Sequence, residues 1–309
     1  MGTIALRGLL VAGVFAAATA MLPAAASAQW TAPSVDTIAR VLEQRIERGG
    51  AVGVIVGFHD EDGAQLVAAG ERSGPGSAAP DGETVFEIGS VAKVFTTTLL
   101  AHMVASGEVA LDDPIAKYLP ATVRAPSRNG IDITLLDLAT ATSGLPRMPG
   151  NLAPADANDP YADYDADDLY AFLSSYELPR DPGAIYEYSN LGMGLLGHLL
   201  ALRAGVAYED LVIQRILEPL GMNDTRITPT PSMRARTATG HSAELEPTPG
   251  WTFGVLAGAG GWRSTANDML RFLHAVRTPP AGVLGEAMRM AIVPQRPVSE
   301  RMKIGLGWH

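Results

Sequence analysis

"FEIGSVAKVF", residues 86–95, decides how the chain is read. A short strand-like run stops at Gly89, Ser90 follows, and an apolar run at helical spacing continues through Val94, Leu99, Leu100 and Met103 toward Gly107. Ser90 and Lys93 are three residues apart at a predicted helix start, so their side chains share one face, one above the other. The chain holds three lysines, Lys93, Lys117 and Lys303, among 23 basic residues. Arginine serves wherever a fixed positive charge suffices. A lysine can be deprotonated and an arginine cannot, so a rare lysine in an apolar stretch is a candidate base. The positive end of the helix and desolvation both lower its pKa. A neutral Lys93 would then take the Ser90 proton, and the free backbone N–H of Ser90 would hold an oxyanion. A plain N-cap serine beside a snorkelling lysine is the competing reading. Ser-x-x-Lys pairs are expected by chance about 0.15 times in such a chain, and this is the only one.

A second stretch, "IYEYSNLGMGLLG" at 185–197, places Tyr188 and Asn190 at the mouth of another helix. Tyr186 and Tyr188 alternate as at a strand end, and Ser189-Asn190 caps the helix that follows. A phenol near a lysine can shuttle a proton, and an amide can hold a substrate carbonyl or amide. Taken alone, the segment reads equally as an aromatic packing residue and an ordinary cap.

Beyond these stretches, the 309 residues are 47% hydrophobic, with a formal net charge of −10 and no cysteine. Disulfides, thiol nucleophiles and cysteine-ligated metals are excluded, and the acidity argues against a nucleic-acid partner. Arg7, an apolar run over about 8–20 and the small-x-small end Ala26-Ser27-Ala28 predict a secretory signal over residues 1–28, cleaved after Ala28. The mature protein is expected to be periplasmic or secreted, with no membrane span, since no later segment is apolar enough to cross a bilayer. Ser34 caps a helix with apolar positions Val35, Ile38, Val41, Leu42 and Ile46; residues 51–60 and 64–71 read as a hairpin about Asp62-Gly63. Helices are predicted near 166–176, 191–204 and 208–219, and a strand leads into a helix capped at Ser264. Strands, then helices, then strands again indicate an α+β protein, a sheet part over about 34–95 and 250–309 interrupted by a mostly helical part over about 96–250. The six histidines lack metal spacing, and no Gly-x-Ser-x-Gly elbow occurs. The acidic run 156–168 reads as a loop whose aspartates cap the next helix, and Leu196, Leu199 and Leu200 with Gly192 and Gly197 read as close helix packing.

Ser90-x-x-Lys93 followed by Tyr188-Ser189-Asn190 resembles the serine β-lactamase and penicillin-binding-protein superfamily. The tyrosine form is similar to class C β-lactamases, related D-Ala-D-Ala carboxypeptidases and β-lactamase-like esterases. "TATSGLP" (140–146) is similar to the family's His-Thr-Ser-Gly-Leu segment, with Ala141 where histidine is usual, and "GAGGWRSTANDMLRF" (258–272) resembles a further family stretch. The resemblance covers roughly 34–309. It implies a β-lactamase/transpeptidase-like fold, an antiparallel sheet flanked by helices with an inserted, mostly helical domain. It implies a serine hydrolase acting through an acyl-enzyme: Ser90 as nucleophile, Lys93 and Tyr188 as proton carriers, Asn190 as substrate-binding residue, with no cofactor and no metal. The implied substrates are β-lactams or D-Ala-D-Ala peptides of peptidoglycan. Alternatives are a carboxylesterase and a penicillin-binding module that does not hydrolyse. The family's third motif, Lys or His, then Ser or Thr, then Gly, is absent; Lys303-Ile304-Gly305 lacks the hydroxyl, and "KIGLGW" resembles the strand before that motif. The expectation is that the final strands lie beyond His309 and that residues 29–309 alone turn over poorly.

Overall fold

The computed structural model describes residues 33–60 and 63–308; the predicted signal segment lies outside them. Helix α1 (Val35–Glu47) is capped by Ser34, whose side chain accepts from Thr37 N–H. Of its predicted apolar positions only Leu42 is buried, and Val35 and Val41 face outward. Strands β1 (Gly53–Asp60) and β2 (Gly63–Gly70) pair antiparallel in the expected hairpin. A loop leads to β3 (Val85–Glu87), a single 3-10 turn (Gly89–Ala92) and helix α2 (Lys93–Ala105). Nine of the thirteen α2 residues are buried, so this helix is the axis of the core.

Between α2 and residue 260 the chain is mostly helix and loop. It carries a hairpin of β4 (Ser127–Arg128) and β5 (Ile131–Asp132), then α3 (Leu135–Ala139), α4 (Ala166–Ser175), α5 (Asn190–Ala204), α6 (Tyr208–Val212) and α7 (Pro231–Ala235). Residues predicted as one helix over 208–219 divide into α6 and a π-helical turn, Ile213–Leu217. Asp165 caps α4 with Asp168 in a capping box, the role expected of the acidic run. A small ladder pairs β6 (Gly240–His241) with β7 (Pro247–Thr248).

Strand β8 (Arg263–Thr265) then pairs antiparallel with β3, and helices α8 (Ala266–Arg277) and α9 (Val283–Ala291) follow. The cap of α8 is Thr265, not Ser264. Ser264 lies within β8 with its hydroxyl 2.8 Å from Thr225 Oγ1, and Thr265 Oγ1 accepts from Asp268 N–H. Strands β9 (Arg296–Pro297) and β10 (Lys303–Ile304) close the described chain as a hairpin. Among the described residues the five two-stranded ladders are antiparallel, which with the helices makes an α+β architecture. No single described helix is both long and apolar enough to cross a membrane.

One packing contact positions everything that follows. Helix α5 lies against the 3-10 run Gly254–Ala259, and a Cβ added at Gly197 would stand 3.2 Å from Gly258 Cα. A Cβ at Gly194 would stand 2.8 Å from Leu256 Cα. Glycine at both places lets two backbones approach closely; the stripe read from the sequence included Gly197 but not Gly194.

Candidate active site

The β3–α2 junction sets the first corner. Gly89 adopts φ 50°, a left-handed conformation that glycine takes without steric cost, and this turns the chain from strand into helix. Ser90 is thereby exposed on the first helical turn, and its N–H belongs to the helix start, where no intrahelical acceptor exists. The sequence placed Ser90 at a helix N-terminus; the structure makes that terminus a 3-10 turn and gives Ser90 no capping role. Lys93, one turn on, is only 7% exposed. Its Nζ lies 3.0 Å from Ser90 Oγ, 2.9 Å from Asn190 Oδ1 and 2.6 Å from the Ala259 carbonyl oxygen.

The second corner is irregular backbone, not the strand end expected at Tyr186 and Tyr188. Residues 183–190 are strapped to 141–147 instead. Gly183 N–H donates to Thr142 O at 2.8 Å, Glu187 N–H to Ala141 O at 2.7 Å and Asn190 N–H to Arg147 O at 3.0 Å. Ser189 caps α5 by accepting from Gly192 N–H and donates its own hydroxyl to Pro146 O at 2.6 Å. Ala141, standing where the family stretch has histidine, therefore acts here through its carbonyl, at φ 53°. This strap carries Tyr188 to Ser90: the phenol and hydroxyl oxygens are 2.6 Å apart. Asn190 turns its Oδ1 to Lys93 and its Nδ2 to Met148 Sδ, 3.6 Å away. The structure thus brings all four sequence-predicted residues, Ser90, Lys93, Tyr188 and Asn190, into one hydrogen-bonded group.

The electrostatics favour mobile protons. Burial pushes the Lys93 ammonium below the ordinary lysine value and the positive charge of Arg147 adds to the fall, while Tyr188 opposes it. Burial alone would raise the Tyr188 phenol; hydrogen bonds from Lys93 and Ser90, with the charges of Lys93 and Arg147, outweigh it and leave the phenol below the usual tyrosine value. Lys93 Nζ lies 4.8 Å and the Arg147 guanidinium carbon 5.0 Å from the centre of the Tyr188 ring, so two cations act on one phenol. Lys93 Nζ donates to all three oxygens, as an ammonium can; loss of one proton would leave bonds to Asn190 Oδ1 and Ala259 O and turn a lone pair to the Ser90 hydroxyl.

Arg147, Met148 and Ala259 were not singled out from the sequence. Arg147 directly follows "TATSGLP", which is the one signal that could have marked it. Ala259 acts through its carbonyl, which no side-chain pattern reveals. Lys303, on the β9–β10 hairpin, does not line the cleft that holds Ser90.

Comparison with known proteins identifies the family of the chain. The model of the family described as Beta-lactamase matches residues 38–309. The D-alanyl-D-alanine-carboxypeptidase/endopeptidase AmpH of Escherichia coli (strain K12) is 33% identical over 271 residues, 87% of this chain and 69% of that protein. A β-lactamase of Yersinia enterocolitica is 30% identical over 234 residues, 73% of this chain and 56% of that protein. Among solved structures, the class C β-lactamase from Rhodobacter sphaeroides matches with a TM-score of 0.74 at 30% identity, over 88% of this chain and 74% of that one. The β-lactamase/D-alanine carboxypeptidase from Pseudomonas syringae matches with a TM-score of 0.76 over the same shares; at 24% identity it bears on the fold alone. The α+β fold is thus the β-lactamase/transpeptidase-like one.

Proposed function

This chain belongs to the β-lactamase family, and we propose that it is an exported serine hydrolase that is acylated on Ser90 by a β-lactam or a D-Ala-D-Ala peptide. The observation that carries this reading is the position of Ser90 Oγ, 2.6 Å from the Tyr188 phenol and 3.0 Å from Lys93 Nζ. A hydroxyl is a weak nucleophile at neutral pH and needs an adjacent base; here two groups with lowered pKa values stand within reach.

The reaction runs in two halves. The Lys93–Tyr188 pair takes the proton as Ser90 Oγ attacks the substrate carbonyl, and the oxyanion faces the Ser90 N–H. The C–N bond breaks, and the leaving nitrogen receives that proton from Tyr188, which lies on the exposed side of Ser90. Water then attacks the acyl carbonyl, gives its proton to the same pair, and Ser90 leaves with it. Asn190, held through Oδ1 by Lys93, directs Nδ2 toward the substrate's amide. The peptidase reading draws on AmpH and the lactamase reading on the class C structure. Export rests on the predicted signal over residues 1–28.

The test is covalent labelling by a fluorescent penicillin, with hydrolysis of a chromogenic cephalosporin and of a D-Ala-D-Ala peptide followed in parallel. Ser90→Ala is expected to abolish label and turnover. Label that survives and maps by mass spectrometry to another residue overturns the assignment.

A further inference from the structure

We propose that Thr96 and Tyr208 are positioning residues of the Ser90 centre: together they hold the Gly258–Ala259 backbone so that the Ala259 carbonyl meets Lys93. The proposal deepens the acylation of Ser90 inferred above and rests on that reading. Lys93 and Thr96 stand three residues apart on α2, on one face of the helix. Lys93 Nζ donates to Ala259 O at 2.6 Å, and Thr96 Oγ1 donates to Gly258 O at 2.7 Å. One helix turn thus grips two successive carbonyls of the run Gly254–Ala259.

The grip continues inward as a chain of hydrogen bonds with one direction. A carbonyl can only accept, so the single hydroxyl proton of Thr96 is committed to Gly258 O. Thr96 Oγ1 is left to accept from the Tyr208 phenol, 2.6 Å away. The phenol oxygen in turn accepts from Trp262 Nε1–H at 3.3 Å. Thr96 and Trp262 are fully buried, and burial pushes the Tyr208 phenol up to about 12, so it stays a protonated donor near neutral pH. A buried chain satisfied at each link is rigid and specifies one arrangement of its members.

Packing alone does not aim the carbonyl. Residues 258–261 read Gly-Ala-Gly-Gly, a backbone with little steric restraint of its own, so the direction of Ala259 O depends on what holds the peptide before it. On one side Gly258 is wedged against α5: a Cβ there would stand 2.9 Å from Met193 O. On the other side the same Cβ would stand 3.3 Å from Thr96 Oγ1. The contact with α5 sets how near the run lies, and the Thr96 hydroxyl sets how its peptide is turned. Tyr208 is itself seated on α5, since a Cβ at Gly197 would stand 3.1 Å from its Cε2. Thr96, Tyr208 and Trp262 do not line the cleft that holds Ser90, so they act on the reaction through Lys93.

The experiment uses Thr96→Val, Thr96→Ser and Tyr208→Phe. Valine keeps the branched shape and removes the donor to Gly258 O; serine keeps the hydroxyl. With a fluorescent penicillin at rising concentration, Thr96→Val is expected to lower the limiting acylation rate constant about tenfold at an unchanged half-saturating concentration, within the scale on which small displacements act. Tyr208→Phe leaves the Thr96 bond in place and should lower it less, and Thr96→Ser should keep most of the wild-type rate. A merely structural loss would lower the melting temperature and the fraction of protein that labels, while that fraction reacted at the wild-type rate. A second readout needs no acylation. The chain has three lysines, so carbon-13 at the lysine ε-carbon gives three resonances, and that of Lys93 is the one missing from Lys93→Arg. Lys93 is faced by the charges of Tyr188 and Arg147 and by the neutral Ser90, Asn190 and Ala259 O. Turning Ala259 O away takes an acceptor from the ammonium, so the Lys93 titration in Thr96→Val should move to lower pH. That shift supports the positioning role even if Ser90 proves not to be the nucleophile. A wild-type Lys93 titration in folded Thr96→Val, or a Thr96→Ser as slow as Thr96→Val, overturns the proposal. Should Thr96→Val not fold, Tyr208→Phe carries both readouts, and a wild-type rate constant with a wild-type Lys93 titration overturns it there.

Discussion

The floor of the cleft, where Lys93 lies, is packed from glycine and leucine, whereas the rim that carries Tyr188 and Arg147 is held by hydrogen bonds between loops. On the floor, α5 and the run Gly254–Ala259 close on each other at Gly194, Gly197 and Gly258, and this fixes the Ala259 carbonyl that Lys93 meets. On the rim, Gly183, Glu187 and Asn190 are fastened to the carbonyls of Thr142, Ala141 and Arg147, some forty residues earlier in the chain. Burial lowers the lysine of the floor; the same effect would raise the phenol, which hydrogen bonds from Lys93 and Ser90 and the charges of Lys93 and Arg147 lower instead. One site therefore tunes two proton carriers by opposite means.

The largest effect belongs to the floor. Lys93→Arg keeps a positive charge but cannot become neutral, and its planar fork does not suit three acceptors gathered around one ammonium. The rate of acylation by a fluorescent penicillin is expected to fall about a thousandfold, the scale of a lost catalytic base. A Lys93→Arg protein within tenfold of wild type would show that charge alone matters and that the proton passes entirely through the rim.

The two regions also differ in how far the sequence disclosed them. The floor was legible: Ser90, Lys93 and the stripe of Leu196, Leu199, Leu200 with Gly192 and Gly197 lie at helical spacings, which report directly on neighbours in space. The hairpin β1–β2 was legible from one Asp-Gly turn. Tyr188 and Asn190 were found by motif and the Ser189-Asn190 cap holds, yet the backbone at Tyr186 and Tyr188 was misread as a strand end, because alternation over three residues cannot tell a ladder from an irregular strap. Arg147 reaches the site through a loop tied by bonds over long separations, and no period encodes those. The same limit moved the α8 cap from Ser264 to Thr265: two adjacent hydroxyl residues can each cap, and the pairing of β8 with β3 decides between them.

A glycine substitution probes the floor without touching a proton carrier. Gly194 is inside helix α5, where alanine would on propensity alone stabilise by about 1 kcal/mol. Its Cβ would, however, stand 2.8 Å from Leu256 Cα, a backbone atom that cannot move aside alone. Overpacking of that kind costs about 1–3 kcal/mol, so the contact outweighs the propensity. Gly194→Ala is expected to lower the melting temperature by a few degrees, and to slow acylation because Ala259, three residues after Leu256, shifts away from Lys93. A raised melting temperature with unchanged acylation would mean that the two segments part without disturbing Lys93, and that the floor is softer than its packing indicates.

The smallest effect, and the sharpest in kind, belongs to Arg147 on the rim. Tyr188 is faced by Ser90 and Lys93 from the α2 turn, by Arg147 from the preceding loop and by Tyr186 from its own segment. Of these, Lys93 and Arg147 carry the positive charges that hold the phenol down, against burial that would raise it. Removing Arg147 raises the phenol, so the limb on which kcat/KM climbs with pH should move to higher pH. Arg147 also lowers Lys93, so its removal raises that base as well, and the climbing limb moves in the same direction. Arg147→Met is therefore expected to shift that limb toward alkaline pH at a nearly unchanged plateau, and Arg147→Lys to shift it less. Because Arg147 is exposed, salt screens its charge, so raising ionic strength should move wild type the same way while leaving Arg147→Met comparatively insensitive. A profile that stays in place while KM rises would assign Arg147 to holding the substrate, and the contrast between a desolvating floor and a charged rim would then reduce to Lys93 and Tyr188 acting on each other alone.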